Sequence, residues 1–156
     1  MRNTSEGFTP VDLALGFLAA ALAVLTVHQA LVYLFGLYKL VPATVQAWSM
    51  KPLGPLNVPA VLNNVFWGGL WGMLFAVVWP RLPGGVLWLR GLVFGLLVLL
   101  IGNWLLLPLI KGTILGQANL PYFSGFDPQR MLVGAAILGG FGLMMGLLFG
   151  LMSGRR

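Results

Sequence analysis

His28 and Gln29 stand side by side in VLTVHQALVYLF, an otherwise apolar run from Val24 to Phe35. An imidazole can ligate a metal or haem, move a proton or bond a ligand, and a carboxamide can both donate and accept. Asn103 lies near the middle of a later apolar block, and Asn63 and Asn64 lie at the start of another. His28, Gln29, Asn103 and Asn64 form the candidate intramembrane polar cluster, with Tyr33 and Tyr38 adding hydroxyls on the first block.

Each sharp chemistry lacks a part. The chain has one histidine, so haem held by two would need a second subunit, or a methionine ligand such as Met144 or Met145. A metal site wants several His, Asp or Glu together, and no acid is expected inside any span. Ser49 and Ser124 fall in loops, away from His28, which argues against a serine triad. A membrane proton relay usually contains a buried carboxylate. The reading is therefore non-catalytic, with no catalytic residue, metal ligand or cofactor assigned.

Two roles for the pair stay open. A His28–Asn103 or Gln29–Asn103 hydrogen bond would fix helix register and contribute about 0.6–2 kcal/mol. The alternative is a ligand, substrate or proton role, the usual meaning of an ionisable residue at membrane depth. At 100° per residue Ala14, Ala21 and His28 share a stripe with Val32 and Phe35, which should face protein. Both versions place His28 between helices, with a ring nitrogen bonded to a polar group.

The surroundings are membrane. Hydrophobic residues make up 59% of the chain and charged residues 8%, against about a quarter in a soluble domain. Net charge is +6, but the cations stand singly at the ends of apolar blocks, as lipid headgroups require and nucleic acid does not. The absence of cysteine removes disulfides and thiolate chemistry.

Four blocks are long enough to span, since about 20 apolar residues cross the hydrocarbon core. They run from about 11 to 41, 59 to 79, 86 to 110 and 131 to 152, within a single transmembrane domain covering residues 1–156. The fold class is all-α integral membrane, a four-transmembrane-helix bundle. Thr9 should N-cap the first helix before Pro10, and Pro42 should end it. Asp127 followed by Pro128 is the matching signal for the fourth. Arg81–Gly85 is a tight turn, making the second and third helices antiparallel neighbours. The Pro- and Gly-bearing segments Pro42–Val58 and Gly112–Pro128 are two long loops on one side, with Gly116 in the second. Trp48, Tyr122 and Phe123 should lie there against the membrane surface.

Glycines recur at four-residue spacing, which puts small residues on one helix face and lets backbones approach. Asn64, Gly68, Gly72 and Ala76 do this on the second helix, and Gly91 and Gly95 on the third. Gly142, Gly146, Gly150 and Gly154 do it on the fourth. These faces are expected to pack the bundle, and the fourth, the longest, is the best candidate for meeting another subunit. Trp67 and Trp71 should fill volume opposite glycines.

The run HQALVYLFGL, then KPLGPLNVP, FWGGLWG and WPRLP, resembles a group of small uncharacterised bacterial inner-membrane proteins over about His28 to Pro83. The resemblance implies bacterial origin and a four-helix plan, and implies no chemistry. The leading expectation is an accessory or structural subunit packing against a larger membrane complex, with lipids and other membrane-protein subunits or further copies as partners and no nucleic acid. The rival is a small oligomeric transporter or channel with a His28, Gln29 and Asn103 path.

Orientation rests on cations. Arg2, Arg81, Arg90, Arg155 and Arg156 mark the side of the termini, against Lys39, Lys51, Lys111 and Arg130, so both termini are placed in the cytoplasm of a bacterial inner membrane. A cysteine replacing Ser124 should then react with an impermeant reagent added from the periplasm. Labelling only after the cytoplasmic side is opened would reverse the topology.

Overall fold

The computed structural model describes residues 9–114 and 121–154. Arg2, Gly116, Arg155 and Arg156 lie outside them. Four helices, α1 (Pro10–Leu37), α2 (Ala60–Arg81), α3 (Leu87–Gly112) and α4 (Pro128–Ser153), are long and apolar enough to cross a membrane. The chain is an all-α, multi-pass membrane protein. Its only sheet among the described residues is a two-residue antiparallel pairing of β1 (Pro52–Leu53) with β2 (Val58–Pro59).

The helix ends follow local chemistry. Thr9 Oγ1 accepts from the Asp12 amide at 3.2 Å while Asp12 Oδ2 accepts from the Thr9 amide at 2.8 Å, a capping box that satisfies free donors. Asp12 is only 1% exposed. The expectation of no acid within the spans is thereby corrected: one carboxylate is buried in the first turn of α1, spent on the cap. Asp127 Oδ1 likewise accepts from the Arg130 amide at 3.1 Å, so α4 begins at Pro128, three residues before the expected 131.

α1 ends at Leu37, short of the expected Val41, and Pro42 is not what stops it. Lys39 adopts φ 55°, its amide donates to Gly36 O at 3.0 Å, and the Leu40 amide donates to Phe35 O at 2.8 Å. This is a Schellman ending with lysine where glycine is usual, which hid it from the sequence. At the far end of the chain Gly154 takes φ 65° and caps α4. It thus leaves the glycine face that its spacing suggested.

Two helix pairs are in backbone contact. A methyl group added at Gly91 would strike Gly142 O and Gly146 Cα, and one at Gly142 would strike Gly91 O and Gly95 Cα. Gly95 meets Leu138 O and Gly146 meets Leu87 O in the same way. α3 and α4 therefore mesh reciprocally through four glycines. Gly142 and Gly146 of the longest glycine face are thus occupied within the chain. Gly150 is also buried.

The second pair is α1 with α2. Gly72 lies against Gly16 O and Ala20 Cβ, and Gly16 against Gly72 O and Ala76 Cβ. Gly68 fits over Val24, and Gly69 receives the Phe17 ring. α1 also packs along α4, where Leu31 and Val27 cover Gly140.

α2 and α3, the pair joined by the tight turn, meet differently. Phe75 and Phe94 touch with centroids 5.4 Å apart, and Trp71 lies 6.3 Å from Phe94. Bulky rings hold these two backbones apart where glycines draw the others together. Near the turn, Arg90 Nε donates to Gly84 O at 2.8 Å and its guanidinium lies 5.3 Å from the Trp79 ring. Phe75, Phe94, Met145 and Phe149 fill the centre of this half of the bundle.

The α3–α4 contact gives a sharp test. Gly91→Ala and Gly142→Ala should each lower stability in detergent by about 1–3 kcal/mol, because each methyl meets backbone that cannot yield locally. Gly85→Ala, with nothing within 4 Å, should leave the unfolding midpoint unchanged. Equal midpoints for all three would remove the meshed contact.

Candidate functional site

α1 is not uniform. Val24–His28 forms a π-turn between α-helical segments. The Gln29 amide donates to Thr26 O and, five residues back, to Val24 O, rather than to Leu25 O. The wide turn interrupts the 100° step, so a wheel drawn across it misplaces residues. Ala14 is exposed and Ala21 half-buried, whereas Gly16, Ala19, Ala20 and Ala23 form the protein-facing side. The expected Ala14–Ala21–His28 stripe is corrected accordingly, and Gly16 is the packing residue it missed.

Past this turn His28 and Gln29 separate. Gln29 is 2% exposed, and its Oε1 accepts from the Trp48 amide at 2.8 Å. Trp48 Nε1 donates to Leu25 O at 2.9 Å, and its ring lies 6.2 Å from Tyr33. These two bonds hold Trp48 at φ 48°, a left-handed backbone that a bulky residue rarely adopts. The next residues then cap α2: Ser49 O accepts from the Val61 amide at 2.9 Å and Lys51 O from the Ala60 amide at 3.0 Å. Gln29 thus ties the long loop, and through it the start of α2, to α1. No sequence signal links residues nineteen apart in this way.

His28 points elsewhere. It lines a cavity of about 560 Å³ between α2 and α3, in the half of the bundle nearest the long loops. Asn63, Asn64, Trp67 and Trp71 line it from α2, and Asn103 and Lys111 from α3. Its floor is Val24, His28, Leu138 and Phe141, with His28 edge-on to Phe141 at 6.4 Å. Trp71 of α2 lies against Gly102 and Phe94 of α3 and bounds the cavity there. Trp67 is 56% exposed along the cavity wall, which corrects its expected role as buried filler.

α3 is shaped to this cavity. Pro108 has no amide hydrogen to donate, and the backbone runs in π-turns over Val98–Leu106 and Pro108–Ile114. Such wide turns are one way a membrane helix re-satisfies carbonyls that a proline leaves without a donor. Asn103 lies in the first of them. It also lines a smaller cavity of about 280 Å³ with Trp104, Ser124 and Arg130. Over that space Phe123 packs against Trp104 at 5.9 Å and stacks on Phe126 at 5.7 Å.

His28, Asn64 and Asn103 therefore meet at one cavity and Gln29 does not. His28 Nδ1 is buried without a hydrogen-bond partner, which corrects the expected bond to Asn103 or another polar group. Among the described residues, no hydrogen bond engages the side chains of Asn63, Asn64 or Asn103 either. No three His, Asp or Glu side chains come together among those residues. Of the expected packing glycines, Gly68, Gly72, Gly91, Gly95, Gly142 and Gly146 all contact a neighbouring helix.

Gln29→Leu should release Trp48 and the cap of α2. The Trp48 amide would lose its acceptor, at a cost of about 1–3 kcal/mol. The expected result is a lower unfolding midpoint in detergent with faster proteolysis of Pro42–Val58. Unaltered stability and proteolysis would show that the loop is held by other contacts. The chain matches no family model, no curated protein and no solved structure.

Proposed function

We propose that this is a non-catalytic, multi-pass protein of a bacterial inner membrane, with both termini in the cytoplasm, that binds one small amphipathic molecule between α2 and α3. The observation that carries this reading is the cavity itself: in its deep part His28 and Asn103 line it with no protein partner among the described residues, while Asn63 and Asn64 line its mouth. Polar groups at membrane depth are costly unless satisfied. A ligand with a polar head and an apolar body supplies what they lack and covers the apolar walls as well.

A through path is less well supported. Below Trp71 the bundle is filled by Phe75, Phe94, Met145 and Phe149, and Gln29 faces the loop. The accessory-subunit reading loses its main support because the glycine faces are used internally.

Native mass spectrometry from mild detergent tests the proposal. Wild-type protein should carry one amphipathic molecule, and Asn103→Phe, which fills the cavity, should lose it while keeping its unfolding midpoint. A ligand-free wild type, or equal retention by the folded variant, would sink the reading.

A further inference from the structure

The polar groups of this cavity are stratified. Lys111 stands in the last turn of α3, and Asn63 and Asn64 in the first turn of α2. Asn103 lies eight residues before Lys111, and His28 nine residues before the end of α1. At 1.5 Å per residue of α-helix His28 is about 13 Å further in, close to the middle of a hydrocarbon core about 30 Å thick, and Asn103 lies about two of the wide π-turns inside Lys111. The deep level holds an imidazole and a carboxamide and no charge. The one cation on the lining is at the mouth.

This order selects among amphiphiles. A phospholipid would place its phosphate beside Lys111 and its acyl chains against His28 and Asn103, leaving both deep groups unsatisfied. A free fatty acid would do the same. A neutral head that travels at mid-membrane depth and accepts hydrogen bonds on opposite edges fits better. His28 and Asn103 project from different helices, α1 and α3, so they can engage two separate acceptors. Trp71 and Phe141 supply flat apolar surface between them. The tail can leave between α2 and α3 along Trp67, Leu106 and Ile110, which border the same opening.

We propose that the ligand is a quinone-class molecule, a neutral ring with carbonyl groups on opposite edges and an isoprenoid tail, held by hydrogen bonds from His28 and Asn103. The proposal concerns binding alone and rests on the amphiphile reading above. His28 Nδ1 is buried, so Nε2 is the ring nitrogen left to donate to a ligand, and the Asn103 amide supplies the second donor. Lys111 and the two mouth asparagines stand nearer the headgroup layer and do not touch the ring.

The test is titration of purified protein in mild detergent with ubiquinone-1, followed by quenching of tryptophan emission, since Trp67 and Trp71 line the cavity. Saturable quenching is expected, about tenfold weaker in His28→Leu and in Asn103→Leu, the loss of one hydrogen bond each. His28→Gln, which keeps a donor, should recover most of it, and Lys111→Gln should leave it unchanged. Unfolding midpoints identify any variant that fails to fold, and Asn103→Ala then replaces the leucine. Absence of saturable quenching in the wild type overturns the proposal, as does equal affinity in the folded His28 and Asn103 variants. Competition by phosphatidylglycerol that depends on Lys111 overturns it in favour of a phosphate head at the mouth. If mass spectrometry still shows a bound amphiphile, the quinone assignment fails alone and the cavity reading survives.

Discussion

Backbone-to-backbone contact through glycine is the constraint on which the rest of this bundle depends. Lipid chains are as apolar as leucine, so helices in a membrane gain little by hiding apolar side chains from them. What gathers them is close van der Waals contact, and closeness requires that nothing stand between the backbones. α3 and α4 achieve it at Gly91, Gly95, Gly142 and Gly146, and α1 and α2 at Gly16, Gly72, Ala20 and Ala76. The same small residues leave α2 and α3 without a comparable seam. Their contact is made by Phe75, Phe94 and Trp71, rings that touch at the turn end and cannot close the loop end. The cavity is the geometric remainder of two tight pairs and one loose one.

The start of α2 beside that remainder is fixed by the loop that follows α1. Gln29 fixes Trp48, Trp48 fixes the strained backbone ahead of Ser49, and Ser49 and Lys51 cap α2. A side chain buried in α1 therefore sets where a different helix begins. The energy in each bond is modest, but the chain of bonds is short.

Much of the architecture was legible because it follows from rules that need no tertiary information. Span number, the capping signals at Thr9 and Asp127, the tight turn and the glycine spacing all act locally or along one face. The misses share a cause: each depends on an irregularity that composition does not announce. Lys39 ends α1 in a conformation normally marked by glycine, and the π-turn at Val24–His28 rotates everything beyond it. A helical wheel assumes a constant step, so it assigned Ala14 to the interior and overlooked Gly16. Glycine spacing also says that a face is close-packed without naming its partner, which is why α4 could be read as an outward surface.

The π-turn at Val24–His28 serves both the loop and the cavity. A regular α-helix would hold residues 28 and 29 about 100° apart on a fixed wheel, with every carbonyl bonded four residues on. Here the Gln29 amide reaches back to Val24 O, and Leu25 O receives the Trp48 indole instead. The irregular turn therefore anchors the loop and, in the same few residues, delivers His28 to the floor of the cavity. Gln29 anchors the loop that caps α2, and His28 lines the cavity. Two adjacent polar residues in an apolar run divide the work of building a site and of lining it.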